Sequence, residues 1–430
     1  MDPIATSSAG RVRGRPPADL LASSDAPRLD YLDATRAAVL MLGVVFHASL
    51  SFSPYYMGWA VQDVSTHPAI FGFVQVSHSF RMKTFFLLAG FFSYSLLERR
   101  GTFPFLGSRA LRLGIPFVVG WFVLRPLLDS GWIMGAASLR GDYDFWTGIR
   151  LGFEGLKTLP AGIFTGSHLW FLYYLMLLTT MTLVVREVVR LAAARSLPIG
   201  ARSRLWPRVD SAAAWIAGSP WAPAVLVLPT AWALWNMRGW GMDTPDQSLL
   251  PHPPALAIYG GAFALGWLFA RQPALIVRFG RLSVIRLMLA FGSGWAVIQL
   301  GGFQSDPNNP HYVAARVSFV TAYAILMWTL ATLTLGFFQR FFDRPHPVVR
   351  YLADSSYWTY LVHLPIVVWM QVAVAEIDAR WWLKLAGISI ATLAISLLTY
   401  DLAVRDTFVG VLLNGRRKNR LLSFRTRKGS

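Results

Sequence analysis

Residues 31–52 read YLDATRAAVLMLGVVFHASLSF, an apolar run long enough to cross a bilayer, interrupted by Asp33, Arg36 and His47. A charge held at mid-depth costs roughly 2.5 kcal/mol or more, so an ionisable group in such a run marks function before it marks packing. His47 follows Arg36 by eleven residues, close to three helical turns. That sets both side chains on one face, about 16 Å apart along the axis. With Asp30, the pair Asp33 and Arg36 makes an i, i+3 ladder at one end of the run. A cation near one end and a base deep in the span outline a chemical path through the membrane.

Similar runs recur along the chain. Of its residues 54% are hydrophobic and only 14% charged, a composition that reads as an all-α polytopic membrane protein. About ten transmembrane helices are expected, near 31–53, 75–97, 111–129, 167–189, 220–238, 255–271, 284–301, 312–338, 351–374 and 382–404. Of the 40 Lys and Arg residues, 29 fall in the six segments that even spacing places on one side, five in the alternate loops, and six within spans. The positive-inside rule then puts both termini in the cytoplasm. The net charge of +18 is thereby a topology signal and calls for no nucleic-acid partner. Cysteine is absent, which excludes disulfides, thiolate metal sites and cysteine nucleophiles.

Three regions follow: a disordered cytoplasmic N-terminus at 1–28, a ten-helix transmembrane domain at 29–405, and a basic cytoplasmic tail at 406–430 whose arginines suit anionic lipid. Residues 1–30 are polar and lack an apolar core, so no signal peptide is expected. The longest outer loop, about 130–166, carries Trp132, Asp142, Tyr143, Asp144, Trp146 and Glu154. Those residues suit either a sugar-binding face or an interfacial aromatic belt.

Other spans carry polar groups at a depth like that of His47. His78 and Arg81 stand one turn apart at the start of the second. Arg81 cannot lose its charge, so it needs an internal anion or a water-filled cavity. Lys83 points to another face and is expected to snorkel outward. Arg109 and Arg112 precede the third span, two guanidiniums on one face suited to phosphates or to simple anchoring. The fourth span opens with His168 and Trp170. The ninth carries Tyr360 and His363 ahead of Pro365, which frees a helix carbonyl or merely kinks the helix. No spacing of these histidines suggests a metal, and neither a nucleophile elbow nor a P-loop is present.

The stretches DYLDATRAAVLMLGVVFHASLSFS, HSFRMKTFFLLAGFFSYSL, RLGIP, SHLWFL and YLVHLPIV resemble the membrane acyltransferase-3 family, above all its branch acting on osmoregulated periplasmic glucans, the glucan succinyltransferase type. They cover the first four expected spans and the ninth. The resemblance implies ten helices in a bacterial inner membrane, a cytoplasmic acyl-CoA donor and a polysaccharide acceptor on the far side. It also implies a catalytic His47, with Arg36 and the Arg109/Arg112 pair serving the donor. Asp33 is placed at that donor site beside Arg36. No permanently bound cofactor is expected: acyl-CoA (succinyl-CoA or acetyl-CoA) is a substrate. The lipid bilayer is the remaining partner, and homo-oligomerisation stays open.

The residues alone support compatible chemistry. Acyl transfer to a sugar hydroxyl needs a base for the hydroxyl proton, and neutral His47 could supply it. Alternatively His47 is the nucleophile and carries the acyl group. Arg81, His78 or His168 could stabilise the oxyanion or hold the acceptor, with Trp170, Tyr360 and His363 lining the same pocket. Arg81 could instead grip a succinyl carboxylate. Three other readings compete: an acetyltransferase for another cell-surface polysaccharide or lipid-linked sugar, a proton-coupled secondary transporter, and a non-catalytic assembly protein.

Overall fold

The structure is a computed structural model that describes residues 29–138, 144–157, 167–196, 198–219, 222–415 and 417–421. The expected N-terminus at 1–28, residues 416 and 422–430 of the tail, and Asp142 and Tyr143 of the long loop lie outside the described residues. Within them there are helices and loops and no strand. This is what a lipid solvent demands, because a helix satisfies its own backbone hydrogen bonds.

The helices are α1 (Asp30–Ser49), α2 (Ala69–Arg100), α3 (Thr102–Arg109), α4 (Ile115–Ser138), α5 (Phe145–Glu154), α6 (Trp170–Ser196), α7 (Ile199–Gly218) and α8 (Ala222–Trp235). They continue with α9 (Pro253–Arg271), α10 (Ala274–Phe279), α11 (Val284–Leu300), α12 (Tyr312–Phe341), α13 (Pro347–Val374), α14 (Trp381–Thr399) and α15 (Phe408–Asn414). A helix stands at each of the ten expected positions. Eight helical segments are long and apolar enough to cross a membrane. The other two positions are α2, whose 32 residues are diluted by His78, Arg81 and Lys83, and the short α8.

Helix α1 sits at the centre, with α2, α12, α13 and α14 packed around it. Between α2 and α9 the backbones nearly touch: a Cβ at Gly90 would strike the Phe263 carbonyl, and one at Gly266 the Leu87 carbonyl. Small residues allow such approach where lipid supplies no hydrophobic drive to association. On the periphery, α11 exposes Ile285, Met288, Phe291 and Trp295, and α6 exposes Val184, Val185 and Val188, an apolar belt that water would not tolerate.

Three details depart from the sequence reading. Helix α4 runs on to Ser138, so Trp132 belongs to a helix rather than a loop. The long loop forms α5, capped by Asp144 through the Thr147 amide (2.6 Å) and laid against α4 at Gly148 and Gly152. Lys83 does not snorkel. It is 1% exposed, and its ammonium lies 3.2 Å from the centre of the Trp328 ring with no hydrogen-bond partner among the described residues. The face of α2 that bears it packs on α12 and offers no route outward.

Candidate active site

A cavity of about 1330 Å³ opens at the His47 end of α1. Pockets for a single small molecule span about 300–1,000 Å³, so this one has room for more than one reactant. Its walls come from five helices: Val39, Leu40, Gly43, Phe46 and His47 on α1; Gln75, His78, Arg81 and Met82 on α2; Asp129 and Trp132 on α4; Trp170 and Phe171 on α6; Tyr360 and His363 on α13. His168, just ahead of α6, joins them, and the rim is made by residues 55–59, 239–247 and 298–305. The α1 positions 39, 40, 43, 46, 47 and 50 are one helical face, so the cavity descends along α1 from His47 and ends one turn short of Arg36.

His47 is half-buried in the last turn of α1. Its Nδ1 is buried without a partner, which leaves Nε2 as the ring nitrogen able to meet a reactant. The carbonyls at the end of α1 have acceptor capacity left, even that of His47, which the Leu50 amide already meets, and one glutamine uses it. The Gln371 amide donates to the carbonyls of His47 (2.9 Å) and Ala48 (3.1 Å), while its oxygen accepts from the Trp59 indole (2.8 Å). Trp59 in turn stacks on the His47 ring at 5.7 Å. The segment carrying Trp59 is pinned by a buried ion pair, Lys384 to Asp63 at 2.8 Å.

His363 stands beside His47, ring centres 5.4 Å apart. Its Nδ1 donates to the Tyr360 carbonyl (2.7 Å), so in the neutral ring Nε2 is a bare acceptor. His168 is fixed by a proline. Pro365 has no N–H to offer the Leu361 carbonyl four residues back, and His168 Nε2 donates to that carbonyl instead (3.0 Å). The Tyr360 hydroxyl then donates to the His168 carbonyl (2.7 Å). On the opposite wall the Phe46 ring lies between His78, stacked at 5.4 Å, and Arg81, whose guanidinium carbon is 4.3 Å from the ring centre. Trp170 lines the cavity and stacks on Tyr259 at 5.5 Å.

The residues expected at the reacting centre, His47, His78, Arg81, His168, Trp170, Tyr360 and His363, thus share one cavity. The four expected at the donor form a separate layer nearer the other end of α1, outside the cavity lining. Arg36 pairs with Asp33 (3.1 Å), and its Nη2 lies 3.5 Å from the Ala353 carbonyl. Arg109 donates to the Ser93 hydroxyl (2.7 Å). Arg112 lies in a π-helical turn ahead of Pro116, and its carbonyl accepts from the Tyr357 hydroxyl (2.5 Å). Ala353 and Tyr357 are one turn apart on α13, so both arginine motifs meet that helix at one level. Among the described residues no group of His, Asp or Glu is placed to hold a metal.

The sequence reading did not single out Trp59, Gln371, Phe46 and Asp63. Gln371 was the findable one, a lone amide in an apolar span two turns beyond His363. Trp59 and Asp63 lie in a connecting segment, and nothing local says which histidine or lysine they meet.

A cavity between membrane helices, lined by four histidines and an arginine above a separate arginine layer, has the groups that a membrane acyltransferase needs. Residues 29–401 match the Acyltransferase domain family, and the chain belongs to this acyltransferase-3 family. It is 25% identical over 393 residues to the Glucans biosynthesis protein C of Escherichia coli O81 (strain ED1a), covering 91% of this chain and 95% of that one. The proteins of the same name from strain K12 and from O139:H28 (strain E24377A / ETEC) are 24% identical over the same shares. No solved structure matches the chain.

Proposed function

We propose that this protein is an O-acyltransferase of the bacterial inner membrane, with ten spans and both termini in the cytoplasm. In this reading it moves an acyl group from cytoplasmic acyl-CoA to hydroxyls of a periplasmic glucan, and succinyl is the group that the sequence resemblance implies. The observation that carries the reading is the position of His47. Its ring lines a cavity that is open at one end and, at the other, stops a turn above a layer of arginines. Support for the acceptor comes from the relatives' name.

The chemistry balances on residues of this chain. An acceptor hydroxyl enters from the rim and donates its hydrogen bond to His47 Nε2. Its oxygen attacks the thioester carbonyl as His47 takes the proton. The carbon–sulfur bond then breaks, the ester forms, and the imidazolium returns the proton to the departing thiolate. Trp59 and Gln371 hold the imidazole and its backbone while this happens. The donor's phosphates rest on Arg109 and Arg112, and its pantetheine arm follows the α1 face past Val39 and Leu40. That path requires the floor of the cavity to part.

The test is transfer by purified protein from succinyl-CoA or acetyl-CoA to linear and cyclic β-glucan, read by coenzyme A release and by glucan mass. His47→Ala should lose transfer by at least about a hundredfold, the lower end of what a positioned base contributes. Near-normal transfer by that variant would remove His47 from the chemistry. An acyl-His47 species trapped without acceptor would make the histidine a carrier rather than a base.

A further inference from the structure

Arg81 is 5% exposed, and its Nε is buried without a partner. It makes no ion pair among the described residues, and it is the one Lys or Arg among those lining the cavity. Two of the three lining carboxylates have other partners, and none forms an ion pair with Arg81. Asp129 pairs with Arg125 at 3.2 Å, and Asp243 accepts from the amides of Arg238 and Gly239. Asp246 lies on the same loop as Asp243. The fold nonetheless makes room for the guanidinium: a Cβ at Gly43 would sit 2.7 Å from Arg81 Nη1. Arginine cannot escape its charge by deprotonation, so with the cavity open water satisfies the guanidinium. A ligand that fills the cavity displaces that water, and a charge so stripped costs several kcal/mol unless the ligand brings an anion.

The position of Arg81 narrows what that anion is. Its guanidinium carbon and the His47 ring centre both lie within 5.0 Å of the Phe46 ring centre, the guanidinium against the ring's face and the imidazole against its edge. A thioester carbonyl attacked beside His47 therefore develops its oxyanion an aromatic ring away from Arg81. The far end of a short acyl chain, anchored by its carbonyl next to His47, extends to that distance. We infer that Arg81 receives the terminal carboxylate of a dicarboxylic acyl group, and so makes the enzyme choose such donors over neutral ones of equal length. This rests on the acyl-transfer reading above. It adds the residue that reads the acyl group.

The experiment compares kcat/KM for succinyl-CoA and butyryl-CoA, four-carbon donors that differ in whether the chain ends in a carboxylate. Wild type, Arg81→Gln and Arg81→Lys are measured with β-glucan as acceptor. A charge-assisted contact of this kind is worth about tenfold to a hundredfold. Arg81→Gln should lower the succinyl-to-butyryl ratio by that factor, and Arg81→Lys should keep part of the preference. A folding defect scales both donors alike and leaves the ratio unchanged, so the ratio isolates recognition. If the wild type acylates glucan but the ratio is unchanged in Arg81→Gln, the guanidinium serves the oxyanion or the fold, and the inference is overturned alone. Wild-type protein inert toward every donor overturns the acyl-transfer reading and the inference together.

Discussion

Lys384→Met tests whether the segment over the cavity is held by charge. The Lys384 and Asp63 side chains are 4% and 1% exposed, with nitrogen and oxygen 2.8 Å apart. Asp63 Oδ1 also accepts from the Ser65 amide, while Oδ2 has no partner. Removing the lysine strands a buried carboxylate. Breaking such a pair on one side costs about 3–5 kcal/mol, most of it the penalty of the orphaned charge. The loss falls on residues 53–68, which carry Trp59 onto the His47 ring. Acyl transfer should therefore drop by at least about tenfold, since a reacting group must be held in place to be effective. Stability is read by denaturant titration in mixed micelles, with transfer measured on the same preparations. Adding Asp63→Asn removes the stranded charge and keeps the Ser65 contact, so the double variant should recover to within about 1 kcal/mol of wild type. Two results refute the reasoning: Lys384→Met unfolding within about 0.5 kcal/mol of wild type, the range of a surface change, or a double variant as unstable as the single.

Two glycines give further tests. Gly43→Ala puts a methyl group where Arg81 Nη1 now lies, and that flexible end can move. The helix should therefore gain about 0.5–1 kcal/mol in an unfolding titration, while succinyl transfer falls because the guanidinium is re-aimed. Gly266→Val drives a side chain into the Leu87 carbonyl and forces α2 from α9. Overpacking of this kind costs about 1–3 kcal/mol, and transfer should fall with it because α2 carries His78 and Arg81.

The helices were legible in the sequence because lipid imposes one demand, twenty or so apolar residues in a row. Helix α2 was recognisable despite its charges, since the run from Phe85 to Phe92 remains apolar. The cavity residues were legible for the converse reason: His47, His78, Arg81 and His363 are expensive wherever the bilayer is deep. What a sequence cannot give is the neighbour. Lys83 is two positions from Arg81, hence on a different face, and only the packing of α12 shows that this face is closed. Asp33 and Arg36 fell into place as neighbours on one helix. Trp59, Asp63 and Gln371 draw their meaning from contacts across some three hundred residues of chain, as in Lys384 with Asp63 and Gln371 with His47. Helix α7 lay in a stretch rich in arginine that reads as a loop when only apolar runs are counted.

Two prolines have a joint consequence. Near each proline a backbone carbonyl is taken up by a side chain from elsewhere, that of Arg112 by Tyr357 ahead of Pro116 and that of Leu361 by His168 ahead of Pro365. Tyr357 and Leu361 are successive turns of α13, so the arginine motif ahead of α4 and the histidine ahead of α6 are bolted to the same short length of rod. Neither can be trimmed alone. A tilt of α13 that eases the arginine layer also swings His168 and His363, and a change in the histidine cluster is felt at Arg112. The cavity and the arginine layer beneath it are geared to each other through a single helix.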